Sequence, residues 1–411
     1  MRRILLVIAV AVASALAGHA AQWQQWRGPT RDGTVPAANV PTDWPAKPTL
    51  KWEQAVGEGY SSPIVDSGRV FLHSRQDPDE VVTAYDLASG KELWRAKYQS
   101  GFDRNPYAKH MAKGPFSTPL AAGGRLITLG GTAVLSSFDA ATGALKWRKD
   151  FSKEIDTSKL FTGTATSPII VDGLLIVLIG DDGGAAVRAF DPATGKEKWT
   201  LPARISAYAS PIVVAPSGAG SRQLVTMTGE AFVGIDIASG RLLWSVPFTD
   251  DWNENVVTPV LAGDVIVISG PRNGTFGYRL ERAGGTWTPK QIWHNTDLPM
   301  HMSTPVADGP MLYGFSNKRK GQLFCLDART GTAKWTTEGR GGFNASLLSA
   351  GPNLVVLTID GEMVVIRRTP EKYEEVRRYT LASSQTWAHP VVMKDAFVVR
   401  DADSLSVWSL R

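Results

Sequence analysis

Cysteine is almost missing from this chain. Cys325 is the only one in 411 residues, which rules out a disulfide framework and any zinc site built on paired thiolates. Histidine is sparse as well: the six, at 19, 73, 110, 294, 301 and 389, include no pair at the helical spacing that binds a metal. Beyond the first twenty residues no apolar run approaches membrane-span length. Charged residues make up 20% of the chain and the net charge is +5, too mild a balance to argue for nucleic acid or an acidic membrane. There is no Gly-Lys-Ser/Thr phosphate loop and no nucleophile elbow, so kinase and hydrolase readings have no residues to rest on.

The start of the chain reads as an export signal. Arg2 and Arg3 supply a basic head, Ile4 to Leu16 an apolar run, and Ala15, Ala17, Gly18 and Ala20 the small residues before a cleavage site. Cleavage is expected after Ala20 or Ala21, with Ala17 as the other position. No cysteine lies near that site, so no lipid anchor is expected by that route. The expected location is periplasmic or secreted, with residues 1–20 as the signal.

What the chain has in abundance is a phrase. In AYDLASGKELW, residues 84–94, Asp86 is followed four residues later by Gly90 and four after that by Trp94. The carboxylate can accept backbone N–H groups in a turn, the glycine supplies a positive φ, and the two together predict a hairpin between short strands. The triple recurs at Asp139/Gly143/Trp147, Asp191/Gly195/Trp199, Asp236/Gly240/Trp244 and Asp327/Gly331/Trp335. Five copies are a repeat, not composition.

Each unit opens on a Ser/Thr-Pro pair: Ser62-Pro63, Thr118-Pro119, Ser167-Pro168, Ser210-Pro211, Thr258-Pro259 and Thr304-Pro305. Proline suits a strand start, where its missing N–H matters least. Four short strands fit each unit, the size of one propeller blade. Residues 258–293 replace the Asp-Gly hairpin with a longer one through Gly284-Gly285, and residues 346–381 lack the opening pair and put Tyr379 where the tryptophan belongs. The last stretch, His389-Pro390 to Leu410, holds three strands, and the fourth is expected from LKWEQ near the N-terminus, with Trp52 in the tryptophan position. The predicted fold is all-β: an eight-bladed β-propeller of four-stranded antiparallel blades over residues 49–411, its last blade closed by the N-terminal strand. Residues 21–48, rich in Trp, Gly and Pro, are expected to form an extended arm that packs across the body through Trp23, Trp26 and Trp44.

The phrase Asp-x-x-[Thr/Ser]-Gly-x-x-x-Trp resembles the repeat of the pyrroloquinoline-quinone (PQQ) β-propeller superfamily, over roughly residues 49–411. The resemblance implies that the repeat tryptophans dock between adjacent blades. The superfamily contains quinone-dependent alcohol and sugar dehydrogenases, and also non-catalytic propellers such as the lipoprotein scaffold of the outer-membrane β-barrel assembly machine. Many of those dehydrogenases are longer, and the alcohol-oxidising ones stack the quinone on a disulfide between neighbouring cysteines, for which Cys325 has no partner. Quinone-floor and calcium ligands of the implied types are Trp387, Glu254, Asn253 and Asn255, though their spacing does not match the family motif. The resemblance therefore implies the non-catalytic branch: an exported scaffold, with no cofactor, that binds another envelope protein or a small ligand as a monomer. The alternative is a dehydrogenase using PQQ with calcium.

The loops between blades, and those between each blade's second and third strands, share one propeller face. The first set carries Tyr60, Phe116, Tyr208, Asn253, Glu254, His301, Asn344 and Trp387, the second Arg75, Asp182, Arg272, Asn273 and Arg319. Aromatics and arginines around a channel mouth predict a recognition surface there. Simpler readings hold elsewhere: Lys318-Arg319-Lys320 as a solvated turn, Asp181-Asp182-Gly183-Gly184 as a tight hairpin, and Met300-His301-Met302 as a loop packing its methionines inward.

Overall fold

The repeated hairpins set the architecture. In the computed structural model, which describes residues 22–216, 222–250, 252 and 254–411, Asp86 Oδ1 accepts the backbone N–H of Ser89 at 2.8 Å and Gly90 takes φ 72°. The other four phrases repeat the turn, with φ between 70° and 75° at Gly143, Gly195, Gly240 and Gly331. The expected export signal and Asn253 lie outside the described residues.

Eight four-stranded antiparallel sheets result, arranged as a propeller. The first blade shows the pattern: Ile64–Asp66 innermost, then Arg69–Gln76, Asp79–Asp86 and, outermost, Glu92–Gln99. A bulge precedes each repeat tryptophan, as between Ala84 and Tyr85 opposite Trp94. The extra residue twists the outer strand and re-aims the ring toward the next blade. In the last blade Val391–Met393, Ala396–Arg400 and Ser404–Ser409 are completed by Thr49–Ala55, which pairs antiparallel with Ser404–Ser409.

The tryptophans join neighbours by one repeated contact. Trp52, Trp94, Trp147 and Trp199 donate their Nε1–H to the carbonyls of Leu87, Ala140, Pro192 and Ile237, each the residue after the next blade's repeat aspartate. Trp293 does the same to Ala328. The ring meanwhile lies flat on the next hairpin's glycine: a Cβ added to Gly143 would sit 2.5 Å from Trp94. Those glycines are thus required twice, for the turn and for the neighbour's ring. Trp244 faces the blade whose hairpin departs from the phrase, and it donates instead to Gln223 in its own blade at 2.7 Å.

The arm crosses the axis. Trp23 is buried and exchanges two backbone hydrogen bonds with Val65 on the inner edge of the first blade. Gln24 accepts the N–H of Ala121 in the second, and Gly33 and Val35 flank Ser349 in the seventh. Arg31 donates to the carbonyls of Ser167, Pro168 and Pro211, and Arg27 to that of Pro305. Residues 22–35 thereby cover inner strand edges that would otherwise present unpaired backbone to the channel. Among the described residues no helix is long and apolar enough to cross a membrane.

Candidate functional site

At mid-channel the Ser/Thr-Pro pairs form a belt. The N–H of Ser62 donates to Thr118 Oγ1, Thr118 N–H to Ser167 Oγ, Ser167 N–H to Ser210 Oγ, Ser210 N–H to Thr258 Oγ1 and Thr258 N–H to Thr304 Oγ1, at 2.9–3.4 Å. The belt closes from His389 N–H to Ser62 Oγ at 2.9 Å. In the blade that lacks the pair, Ser303 bridges instead: its hydroxyl donates to Asn344 Oδ1 and accepts the N–H of Ala345. Each opening-pair hydroxyl gives the preceding blade's backbone a partner where a strand cannot, and Ser303 does the same for the following blade.

Below the belt Trp26 ends a small axial cavity of about 160 Å³, its ring edge-on to His389 at 5.7 Å between centroids. Burial and the nearby Arg27 guanidinium hold the His389 imidazole down to about 3, against an ordinary 6.5. Between those values the folded state binds fewer protons than the unfolded one, so the contribution is complete above about pH 6.5 and is lost as pH falls toward 3. His389 still touches the axial cavity, and after discounting for that the loss is roughly 2–4 kcal/mol. The denaturant midpoint is expected to fall between pH 7 and pH 4, and to fall less in His389→Gln. Equal falls in the two proteins would refute this assignment.

Above the belt the channel opens into a funnel of about 790 Å³. Six rings from six consecutive inter-blade loops form an unbroken run around it: Phe116, Tyr60, Trp387, Phe343, His301 and Trp252, with successive centroids 5.5–6.2 Å apart. Tyr208 and Phe161 continue the wall on the other side. The two longest loops are tied to it by tyrosine hydroxyls. Tyr60 Oη accepts the N–H of Ala112 at 3.1 Å, and Tyr208 Oη that of Phe161 at 2.8 Å. Burial raises the pKa of both phenols, helped at Tyr208 by the Glu254 carboxylate.

Of the residues singled out from sequence, Tyr60, Phe116, Tyr208, Glu254, His301 and Trp387 gather at the funnel and the cavity below it, and Asp182 joins them at the rim. Asn344 is buried in the belt. Arg272 lies over the Trp252 ring at 5.1 Å, and Asn273 donates to the Thr249 carbonyl. Arg319 stands exposed on the turn Lys318–Lys320, away from the funnel lining. Arg75 corrects the expectation of a loop arginine offered to a partner. Its strand runs on to Gln76, and its guanidinium is buried against Glu80, Ser100 and Phe102. Sequence reasoning missed Phe161, Met111, Trp252 and Phe343. The last two are half or more exposed, at 50% and 59%, and their only signal was an aromatic in an inter-blade loop.

A quinone with calcium does not fit these residues. The Asn255 amide nitrogen is committed to the carbonyls of Thr228 and Phe248 at 2.7 and 2.8 Å, and its Oδ1, the atom a calcium ion would take, is buried without a donor. Cys325 is buried opposite Trp335, its thiol pushed up to about 12 by burial. Asp182, Glu254 and Asp360 line the funnel against Lys159, the wrong balance for a polycarboxylate quinone. Among the described residues no group of three or more His, Cys, Asp or Glu could hold a metal ion.

A family model described as outer membrane protein assembly factor BamB matches residues 45–101, 78–337 and 291–405. The outer membrane protein assembly factor BamB of Burkholderia pseudomallei is 27% identical over 376 residues, covering 80% of this chain and 91% of that protein. That of Shewanella oneidensis is 22% identical over 371 residues, covering 86% of each. Among solved structures, BamB from Moraxella catarrhalis superposes with a TM-score of 0.59 at 13% identity, covering 88% of this chain and 99% of the other. A europium-containing methanol dehydrogenase gives 0.68 at 14% identity, with 95% and 98% covered. At such identities both structures speak for the fold alone.

Proposed function

This chain belongs to the propeller family described as outer membrane protein assembly factor BamB, and from that premise we propose that it is an exported, non-catalytic scaffold of the cell envelope. It works as a periplasmic monomer and engages another envelope protein or a ligand at the funnel face. The observation that carries the reading is the unbroken aromatic run fed by six separate loops, with Trp252 and Phe343 left half exposed at its rim. Large rigid aromatics at a concave, water-accessible mouth supply binding area at low entropic cost. The opposite face carries the Asp-Gly hairpins, which are occupied in joining blade to blade.

The test is placement of a photo-crosslinking phenylalanine analogue at Trp252 or Phe343, with Lys91 and Lys196 on the hairpin face as controls, in cells that export the protein. Discrete crosslinks from the funnel positions are expected. Crosslinks from the hairpin face alone would place the working surface on the wrong side.

A further inference from the structure

We infer that the funnel takes an organic cation, an alkylammonium or guanidinium group held between aromatic faces and carboxylates. This rests on the reading that the funnel face is the working one. Three features of the wall point to it. Trp252, Phe343 and Trp387 line the funnel from three loops, and aromatic rings attract cations more strongly where water is thinned. The geometry already operates at the rim, where the Arg272 guanidinium sits over Trp252.

Glu254 is the second feature. Its side chain is 10% exposed, yet among the described residues no donor reaches its carboxylate. The nearest ionic partner, His301 Nε2, stands off at 3.8 Å and is itself buried without a hydrogen bond. A carboxylate that keeps only a narrow contact with water and has no protein donor is incompletely satisfied, and an entering N–H donor with positive charge supplies the missing bond.

The third is the field. Asp182 is raised by what burial it has, then by Asp181 and by Glu254 across the mouth. Asp360 adds a further carboxylate to the lining, against Lys159 within it and Arg272 at the rim. A neutral apolar guest would leave this potential unanswered. About 790 Å³ is ample for the carbon frame around the charged group. The group could belong to a free small molecule or to a lysine or arginine of a partner protein, and the chemistry is the same.

The experiment titrates the mature protein with choline, with its neutral isostere 3,3-dimethylbutanol, and with the peptides Gly-Arg-Gly and Gly-Gln-Gly, read by tryptophan fluorescence and calorimetry at low salt. Choline or the arginine peptide is expected to bind saturably, at least about tenfold tighter than its neutral counterpart. Glu254→Gln should weaken the cation about tenfold and leave the neutral probe unchanged. Asp360→Asn, at an exposed position, repeats the test should Glu254→Gln fold poorly. Preference for choline identifies a free small cation, and preference for the peptide a partner's side chain. Equal binding of charged and neutral probes, or no saturable binding of either cation, overturns the inference. If that happens while crosslinks from Trp252 and Phe343 persist, the scaffold reading stands without it.

Discussion

Replacing Arg31 with methionine is expected to cost about 3 kcal/mol of stability and to open residues 22–35 to protease. Arg31 is 5% exposed and lies against the inner ends of two adjacent blades, with Nη1 and Nη2 donating to Pro168 and Ser167 in one and Nε to Pro211 in the next. Among the described residues its side-chain partners are neutral, Gln25 at 3.1 Å and the Trp26 ring at 5.5 Å. Burial, with the neighbouring Arg27 charge, lowers its pKa to about 9, so it remains charged at neutral pH. Each charge-assisted bond contributes about 1.5–3 kcal/mol, and methionine would leave three buried carbonyls without donors. Removing the desolvated charge offsets part of that loss, hence a net effect smaller than the sum. Arg31→Lys should recover little, since a point charge cannot span two blades as a planar fork does. Denaturant melts with mass mapping of early proteolytic cuts would decide it. A variant that melts with the parent and keeps its arm protected would show that the arginine merely fits.

Trp52→Ala should cost about 3–5 kcal/mol, the range for truncating a buried aromatic. Trp52 lies on the closing strand, its Nε1–H donates to Leu87 at 2.9 Å, and its ring covers Gly90. Gly90→Ala attacks the contact from the other side, because the new Cβ would meet the ring at 2.6 Å in a backbone of φ +72°. The two share one contact, so the double variant should lose less than the sum of the singles. Equilibrium unfolding of the four proteins measures this. A Trp52→Ala protein as stable as the parent would mean that the seam contributes nothing.

The fold was legible because its rule is local. Asp, Gly and Trp fall within nine residues of one another, and that span encodes a turn, a strand and a docking ring together. Even the two irregular units kept enough strand pattern to be counted. The site was only half legible, because the funnel is written in loops with no period. Tyr60, Tyr208 and Trp387 stood out beside the repeat's opening pairs, whereas Trp252 and Phe343 stand further back in loops of unequal length. Arg75 was misplaced by one turn of strand: the hairpin falls at Asp77-Pro78, and a residue just before it points inward. The hydroxyls of the opening pairs were read as companions of proline. Their bonding to the preceding blade joins residues 43 to 56 positions apart, which a reading of one unit at a time does not reveal.

The closing strand has a consequence for when the molecule becomes itself. Arg27 meets Pro305, Tyr379 meets the carbonyl of Pro45, and Glu53 meets Ser404, across separations of 278, 334 and 351 residues. At 5–20 residues per second, the chain that completes those contacts arrives roughly 14–70 s after the segment that needs it. Until Ser404–Ser409 is made, Thr49–Ala55 is a strand with no neighbour, and Arg27 waits as far as Pro305 for its distant carbonyl. Contacts this distant in sequence slow folding and expose edges to other chains. Loss of the final strand, Ser404–Ser409, would therefore orphan the beginning of the chain as surely as its end. Truncation from either terminus should converge on the same open, self-associating ring.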